Sequence, residues 1–164
     1  MADPAIDPST LPLKTPSPNA SVGRFDETMP TTLPPEKVWA EFMRALTNSK
    51  EAVLWPNEVS SIRTLQSPLS VGTTLAVSIH QNGATMHYRV LRFEPPHLVE
   101  YASLKGHSLA GGATVSVESS SGKTALHWKG EYRGSEAGLD FLTRYNTAFF
   151  SSLAAQLKKL ESAA

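Results

Sequence analysis

The sequence predicts an α+β domain: an antiparallel meander of short strands with a long C-terminal helix lying across it. Three observations carry that reading. Between Glu58 and Arg133 apolar residues alternate with polar ones, the period of strands with one wet face. Tight turns, not helices, separate these runs, which makes neighbouring strands antiparallel. From Leu139 to Leu160 the spacing becomes helical and stays so for about six turns.

Five of the 12 prolines (Pro4, Pro8, Pro12, Pro16 and Pro18) open the chain. Each fixes φ and removes an amide donor, so residues 1–20 are expected to form a disordered Pro-rich tail and residues 21–164 the folded domain. Phe25, Glu27, Met29, Thr31 and Leu33 then share one parity, as in a half-buried strand. In the following segment Pro35 suits the first turn of a helix, with Glu36 near its positive end. Val38, Trp39, Phe42, Met43 and Leu46 make its apolar face. A second short helix is expected around Ser49–Val53, ended by Trp55-Pro56.

Strands follow on Leu75, Val77 and Ile79, and on Met86, Tyr88 and Val90, joined at Asn82-Gly83, a dipeptide suited to a type I′ turn. Glu94-Pro95-Pro96 breaks the second of these, and Val99 and Tyr101 carry the next. Val115 and Val117 precede a turn at Ser121-Gly122, after which come Leu126, Trp128 and Tyr132. Finally Leu139, Leu142, Tyr145, Phe149, Leu153, Leu157 and Leu160 form the stripe of the long helix, which needs the sheet for its stability.

Composition narrows the function. Fifteen Lys and Arg balance fifteen Asp and Glu, which argues against nucleic acid or an anionic membrane surface as the main partner. The absence of cysteine excludes disulfides, thiolate catalysis and Fe–S clusters. No run is long enough to span a membrane, and the opening MADPAIDPST shows no secretory signal, so a cytoplasmic location is expected.

Several motifs look chemical and read better as turns. Gly106-His107-Ser108-Leu109-Ala110-Gly111 resembles a serine-hydrolase elbow, but a strand, not a helix, follows the serine, and no histidine follows Asp140. Ser121-Gly122-Lys123-Thr124 lacks the earlier glycine of a phosphate loop. His80, His87, His97, His107 and His127 have no metal-ligand spacing, so no metal or cofactor is expected and each histidine reads as solvated. Catalytic residues cannot be assigned, because no acid–base pair shares a face.

The inward parity is more informative. Tyr88, Tyr101 and Tyr132 share the apolar parity of their strands, and Tyr145 lies on the stripe of the last helix, so all 4 tyrosines point into one interior. Trp128 and Phe149 join them. Either the rings form a packed core, or a pocket with apolar walls and a few phenols lies among them. Glu27 is the carboxylate expected to face inward, by its parity with Phe25 and Met29.

The element order resembles the START/Bet v 1-like helix-grip superfamily, which includes polyketide cyclase/dehydrase and lipid-transport proteins. The resemblance lies in Pro34-Pro35-Glu36-Lys37-Val38-Trp39, Trp55-Pro56-Asn57-Glu58-Val59 and Val71-Gly72-Thr73. It continues in Arg92–Val99, Leu126–Tyr132 and Leu153–Lys158, so that it spans residues 22–161. It implies a seven-stranded antiparallel sheet wrapped around the C-terminal helix, two short helices after strand 1, and a cavity for a hydrophobic or aromatic small molecule. On that reading Tyr88, Tyr101, Trp128, Tyr132, Tyr145 and Phe149 line the site, with Trp39 and Trp55 near its mouth. A carrier or sensor, monomeric or homodimeric, is expected. The alternatives are a polyketide cyclase/dehydratase-like enzyme using the same cavity and a co-chaperone-type interaction module.

Overall fold

The computed structural model describes residues 7–47 and 52–163. The elements are β1 (Ser21–Thr31), α1 (Pro35–Leu46), β2 (Ser60–Thr64), β3 (Thr74–Ile79), β4 (Thr85–Glu94), β5 (Leu98–Ser103), β6 (Ala110–Ser120), β7 (Lys123–Gly134) and α2 (Glu136–Ala163). They form one 7-stranded sheet in the order β1-β7-β6-β5-β4-β3-β2. Strands β2 to β7 are a meander, and β1 pairs with β7 along the whole length of β1. The second short helix expected over Ser49–Val53 falls largely outside the described residues, and Ala52 and Val53 at its end are not helical.

Two turns exchange roles relative to the sequence reading. Ser121 and Gly122 both have positive φ, 52° and 76°, and make the two-residue hairpin between β6 and β7. At Asn82-Gly83 only the glycine has positive φ, 71°. The Asn82 carboxamide oxygen accepts the Ala84 N–H at 2.9 Å, an Asx turn that keeps Asn82 out of the left-handed region and widens the loop.

The sheet bends sharply across β5, β6 and β7. A Cβ at Gly112 would collide with the Tyr101 carbonyl oxygen, and one at Gly111 with that of Glu131. Only glycine lets the three backbones approach so closely. The concave face so formed receives both helices. Pro35 and Glu36 open α1 as expected, and Val38, Trp39, Phe42, Ala45 and Leu46 are buried on the sheet.

Helix α2 is packed unevenly. Its buried residues, Phe149, Phe150, Leu153 and Leu157, all lie from its middle onward. In the N-terminal half Leu139, Phe141, Leu142 and Tyr145 are only half-buried.

The expected loose tail corrects to a strap from Asp7 onward. A 3-10 turn spans Pro8–Thr10, and Leu13 forms a β-bridge to Leu104. Lys14 N–H donates to the Ser103 carbonyl at 2.9 Å, and Lys105 N–H to that of Pro12 at 2.8 Å. From β4, Arg89 donates to the Leu11 carbonyl at 2.7 Å and to that of Ser9 at 3.0 Å. Composition missed this because the ordering groups belong to the sheet: a guanidinium supplies donors to a segment whose prolines cannot. Arg89→Met, which keeps the stem and removes the donors, is expected to cost about 2–3 kcal/mol and to speed proteolysis within residues 7–20. Unchanged cleavage would show that the strap is held otherwise.

On the outer face of the sheet, away from the helices, His127 sits between two carboxylates. Its Nε2 is 2.6 Å from Asp26 Oδ1 and its Nδ1 is 2.9 Å from Glu118 Oε1. The hydrogen bond to Asp26, then that to Glu118, raises its pKa above the usual 6.5. A raised folded pKa stabilises fully below the unfolded value and loses that contribution as pH rises through the folded one. Melting temperature should therefore decline above pH 6.5, and His127→Gln should flatten that decline. An equal decline in both proteins would remove His127 as its source.

Candidate functional site

Between the sheet and α2 lies a cavity of about 60 Å³. Seven of the eight side chains singled out from sequence line it: Trp55, Tyr88, Tyr101, Trp128, Tyr132, Tyr145 and Phe149. The register explains why. Tyr101 lies opposite Val90 on β4, Tyr88 opposite Leu75 on β3, and Trp128 opposite Val115 on β6, all on one sheet face. Tyr145 and Phe149, four residues apart on α2, stack at 5.7 Å from above.

Two of the expected positions are corrected. Trp39 packs on Phe93 at 6.0 Å and stays outside the lining, because its place on α1 turns it toward β4. Trp55 is not at an opening: its ring meets Phe149 at 5.0 Å and Trp128 at 6.3 Å, within the cluster. Glu27 lies on the inner side of the sheet, opposite Trp128, but it is not buried there: it is exposed in a groove between β1 and α2, because β1 is an edge strand that α2 does not cover at that point.

A second, larger cleft of about 150 Å³ adjoins the cavity and shares Val77, Tyr88, Leu142 and Tyr145 with it. It runs out between the β3–β4 loop, the β5–β6 loop and the first turns of α2, and it contains His107. His107 was expected to be solvated. It is instead 8% exposed, because Leu104 and Leu109 on either side are buried and draw the loop inward. A histidine between two such apolar residues was the available signal, but parity arguments do not extend into a loop.

His107 is held at both nitrogens. Leu109 N–H donates to Nδ1 at 2.9 Å, and Nε2 lies 2.9 Å from the Tyr88 hydroxyl. Burial, with a smaller contribution from Lys14 of the strap, lowers its pKa from 6.5 to about 4, so the ring is neutral at pH 7. Since Nδ1 is an acceptor, the ring proton resides on Nε2, which donates to Tyr88.

Other contacts fix the remaining rings. Trp128 Nε1–H donates to the Tyr101 hydroxyl at 2.9 Å. Tyr145 donates to Ser60 Oγ at 2.9 Å, and Trp55 Nε1–H donates to the Ser60 carbonyl at 3.0 Å. Burial pushes the Tyr88, Tyr101 and Tyr132 phenols well above the usual 10 and that of Tyr145 to about 12. The site is a set of neutral donors among rings. No charged side chain lies in the lining, where Asn146 is the other polar group. Among the described residues no cluster of three or more His, Asp or Glu is placed to hold a metal, and no helix is long and apolar enough to cross a membrane.

A curved antiparallel sheet closed on a long C-terminal helix around such a cavity defines the helix-grip class. The chain matches the family described as polyketide cyclase / dehydrase and lipid transport over residues 23–163, and it belongs to that family. Solved structures share the fold at low identity. Protein Ms6760 from Mycobacterium smegmatis is 16% identical with a TM-score of 0.63, covering 86% of this chain and 91% of its own. Norcoclaurine synthase from Thalictrum flavum, solved with dopamine and hydroxybenzaldehyde, is 12% identical with a TM-score of 0.63, covering 86% and 87%. Ara h 8.0201 is 11% identical with a TM-score of 0.60, covering 85% and 99%. None of the curated proteins matches the chain in sequence.

Proposed function

We propose that the chain binds an uncharged, largely aromatic small molecule between the sheet and α2, as a carrier or sensor. The observation that carries this reading is the convergence of four phenols on a cavity whose lining, Asn146 apart, is otherwise apolar and free of charge. Ring faces supply buried area, and hydroxyls orient the few polar groups of a ligand. The family description and the aromatic compounds bound by norcoclaurine synthase agree with it.

A cavity of about 60 Å³ holds the equivalent of roughly two waters, whereas small-molecule sites span about 300–1,000 Å³. Binding therefore requires the site to open. The half-buried N-terminal half of α2 is where that costs least, since the adjoining cleft and the β1 groove both border it. A cyclase or dehydratase-like activity is the second reading, favoured by the His107–Tyr88 pair. In it the site would fold a flexible substrate into a reactive conformer.

Native mass spectrometry of freshly purified protein, followed by titration with the uncharged fluorophore N-phenyl-1-naphthylamine, tests the proposal. A co-purifying mass or saturable binding is expected, weakened about 3- to 10-fold by Tyr145→Phe. No bound mass together with no saturable binding would overturn it in favour of a solid aromatic core.

A further inference from the structure

We propose that the hydroxyls of Tyr88, Tyr101 and Tyr132 form a cradle for one acceptor oxygen of the ligand, so that the occupant is an aromatic carbonyl compound and not a hydrocarbon or a plain acyl chain. The inference rests on the small-molecule reading above and specifies its chemistry.

The argument is an account of protons. A phenol carries one donor proton and accepts through its oxygen. At Tyr88 the oxygen already accepts from His107: Leu109 N–H occupies Nδ1, so the proton of the neutral ring is on Nε2. The Tyr88 proton must therefore point elsewhere. At Tyr101 the oxygen accepts from Trp128, whose indole can only donate, so this phenolic proton is also unclaimed. Tyr132 is 3% exposed, and its hydroxyl is within hydrogen-bonding reach of those of Tyr88 and Tyr101. Tyr145 differs, because its proton goes to Ser60.

The three hydroxyls lie close together. The rings of Tyr88 and Tyr101 are 5.2 Å apart, and Tyr132 is near enough to alter the ionisation of both. Among the described side-chain hydrogen bonds none joins Tyr88 to Tyr101, so even if Tyr132 serves as acceptor for one neighbour and donor to the other, one proton of the three stays surplus. A buried donor without an acceptor is unfavourable, so the cradle selects an occupant that supplies an oxygen. His107 and Trp128 each donate into this group and strengthen the phenols as donors. The lining holds no cation to balance an anion, which favours an uncharged carbonyl over a carboxylate.

A matched probe pair tests this: 2-acetylnaphthalene and 2-isopropenylnaphthalene, which differ by an oxygen in place of a methylene group. Each is titrated by displacement of N-phenyl-1-naphthylamine, and the carbonyl stretch of the bound acetyl probe is read by difference infrared spectroscopy. Tyr132→Phe is the preferred variant, because it removes one hydroxyl of the cradle and leaves the His107–Tyr88 and Trp128–Tyr101 bonds in place. It should weaken the acetyl probe about 3- to 10-fold and leave the isopropenyl probe unchanged. In the wild-type protein the bound carbonyl should absorb below its frequency in an alkane. If the stretch sits at the alkane value, or if Tyr132→Phe alters both probes alike, the cradle is refuted while the cavity stands. If neither probe displaces the fluorophore from a protein that binds it, the carbonyl specificity is refuted. If the fluorophore itself does not bind, the small-molecule reading and this inference fall together.

Discussion

Trp128→Ala lowers the stability of the protein by about 3–5 kcal/mol, the range for deleting a buried aromatic ring. The indole is 4% exposed and meets Phe42, Trp55, Tyr101, Phe149 and Phe150 at centroid distances of 5.2–6.4 Å. Those rings come from α1, the segment before β2, β5 and α2, so one side chain on β7 ties both helices to the sheet. Its removal also strips the Tyr101 hydroxyl of its donor. Against a typical stability of about 5–15 kcal/mol the loss is a large share. Urea denaturation measures it, and a loss below about 1 kcal/mol would mean that the cluster is not the mechanical centre of the fold.

The second large effect is acid lability from His107. Its folded pKa of about 4 lies below the ordinary 6.5, so a group depressed by folding contributes stability above 6.5 and loses it as pH falls toward 4. In that window the unfolded chain takes up a proton that the folded chain refuses. The loss amounts to about 3 kcal/mol. His107→Asn isolates it, because an Asn oxygen can still accept the Leu109 N–H while nothing titrates. Between pH 7 and pH 4 the wild type should lose about 3 kcal/mol more than the variant, with carboxylate contributions cancelling in the comparison. Parallel pH profiles would mean that His107 is hydrated and charges freely. The sign is opposite to that of His127, whose contribution disappears on the alkaline side.

The parity of strands was the legible part of the site. Tyr88, Tyr101, Trp128 and Tyr132 lie on regular strands, where a period of two assigns the face without further knowledge. Tyr145 and Phe149 were equally readable on a helical stripe. Glu27 shows the limit of the same rule. Parity gave its side of the sheet correctly, but burial depends on what covers that side, and α2 does not cover the middle of an edge strand. His107 was illegible because it sits in a loop without a period, and its burial comes from neighbours on either side. The strap was illegible because its partner, Arg89, lies far along the chain and reads locally as a wet-face residue of a strand. Trp39 had the right burial and the wrong neighbours, since a helical face does not say which strand it meets.

The uneven packing of α2 separates two kinds of mutational freedom. Phe149, Phe150, Leu153 and Leu157 anchor the helix and tolerate little change. Phe141 and Leu142 border the space around the phenols, and Leu139 the groove beside β1, while contributing little to that anchor. Sequence drift in the first turns can therefore reshape what the protein admits without risking whether it folds. Selectivity and foldedness occupy different ends of one helix, and related chains should diverge at the first end while holding the second.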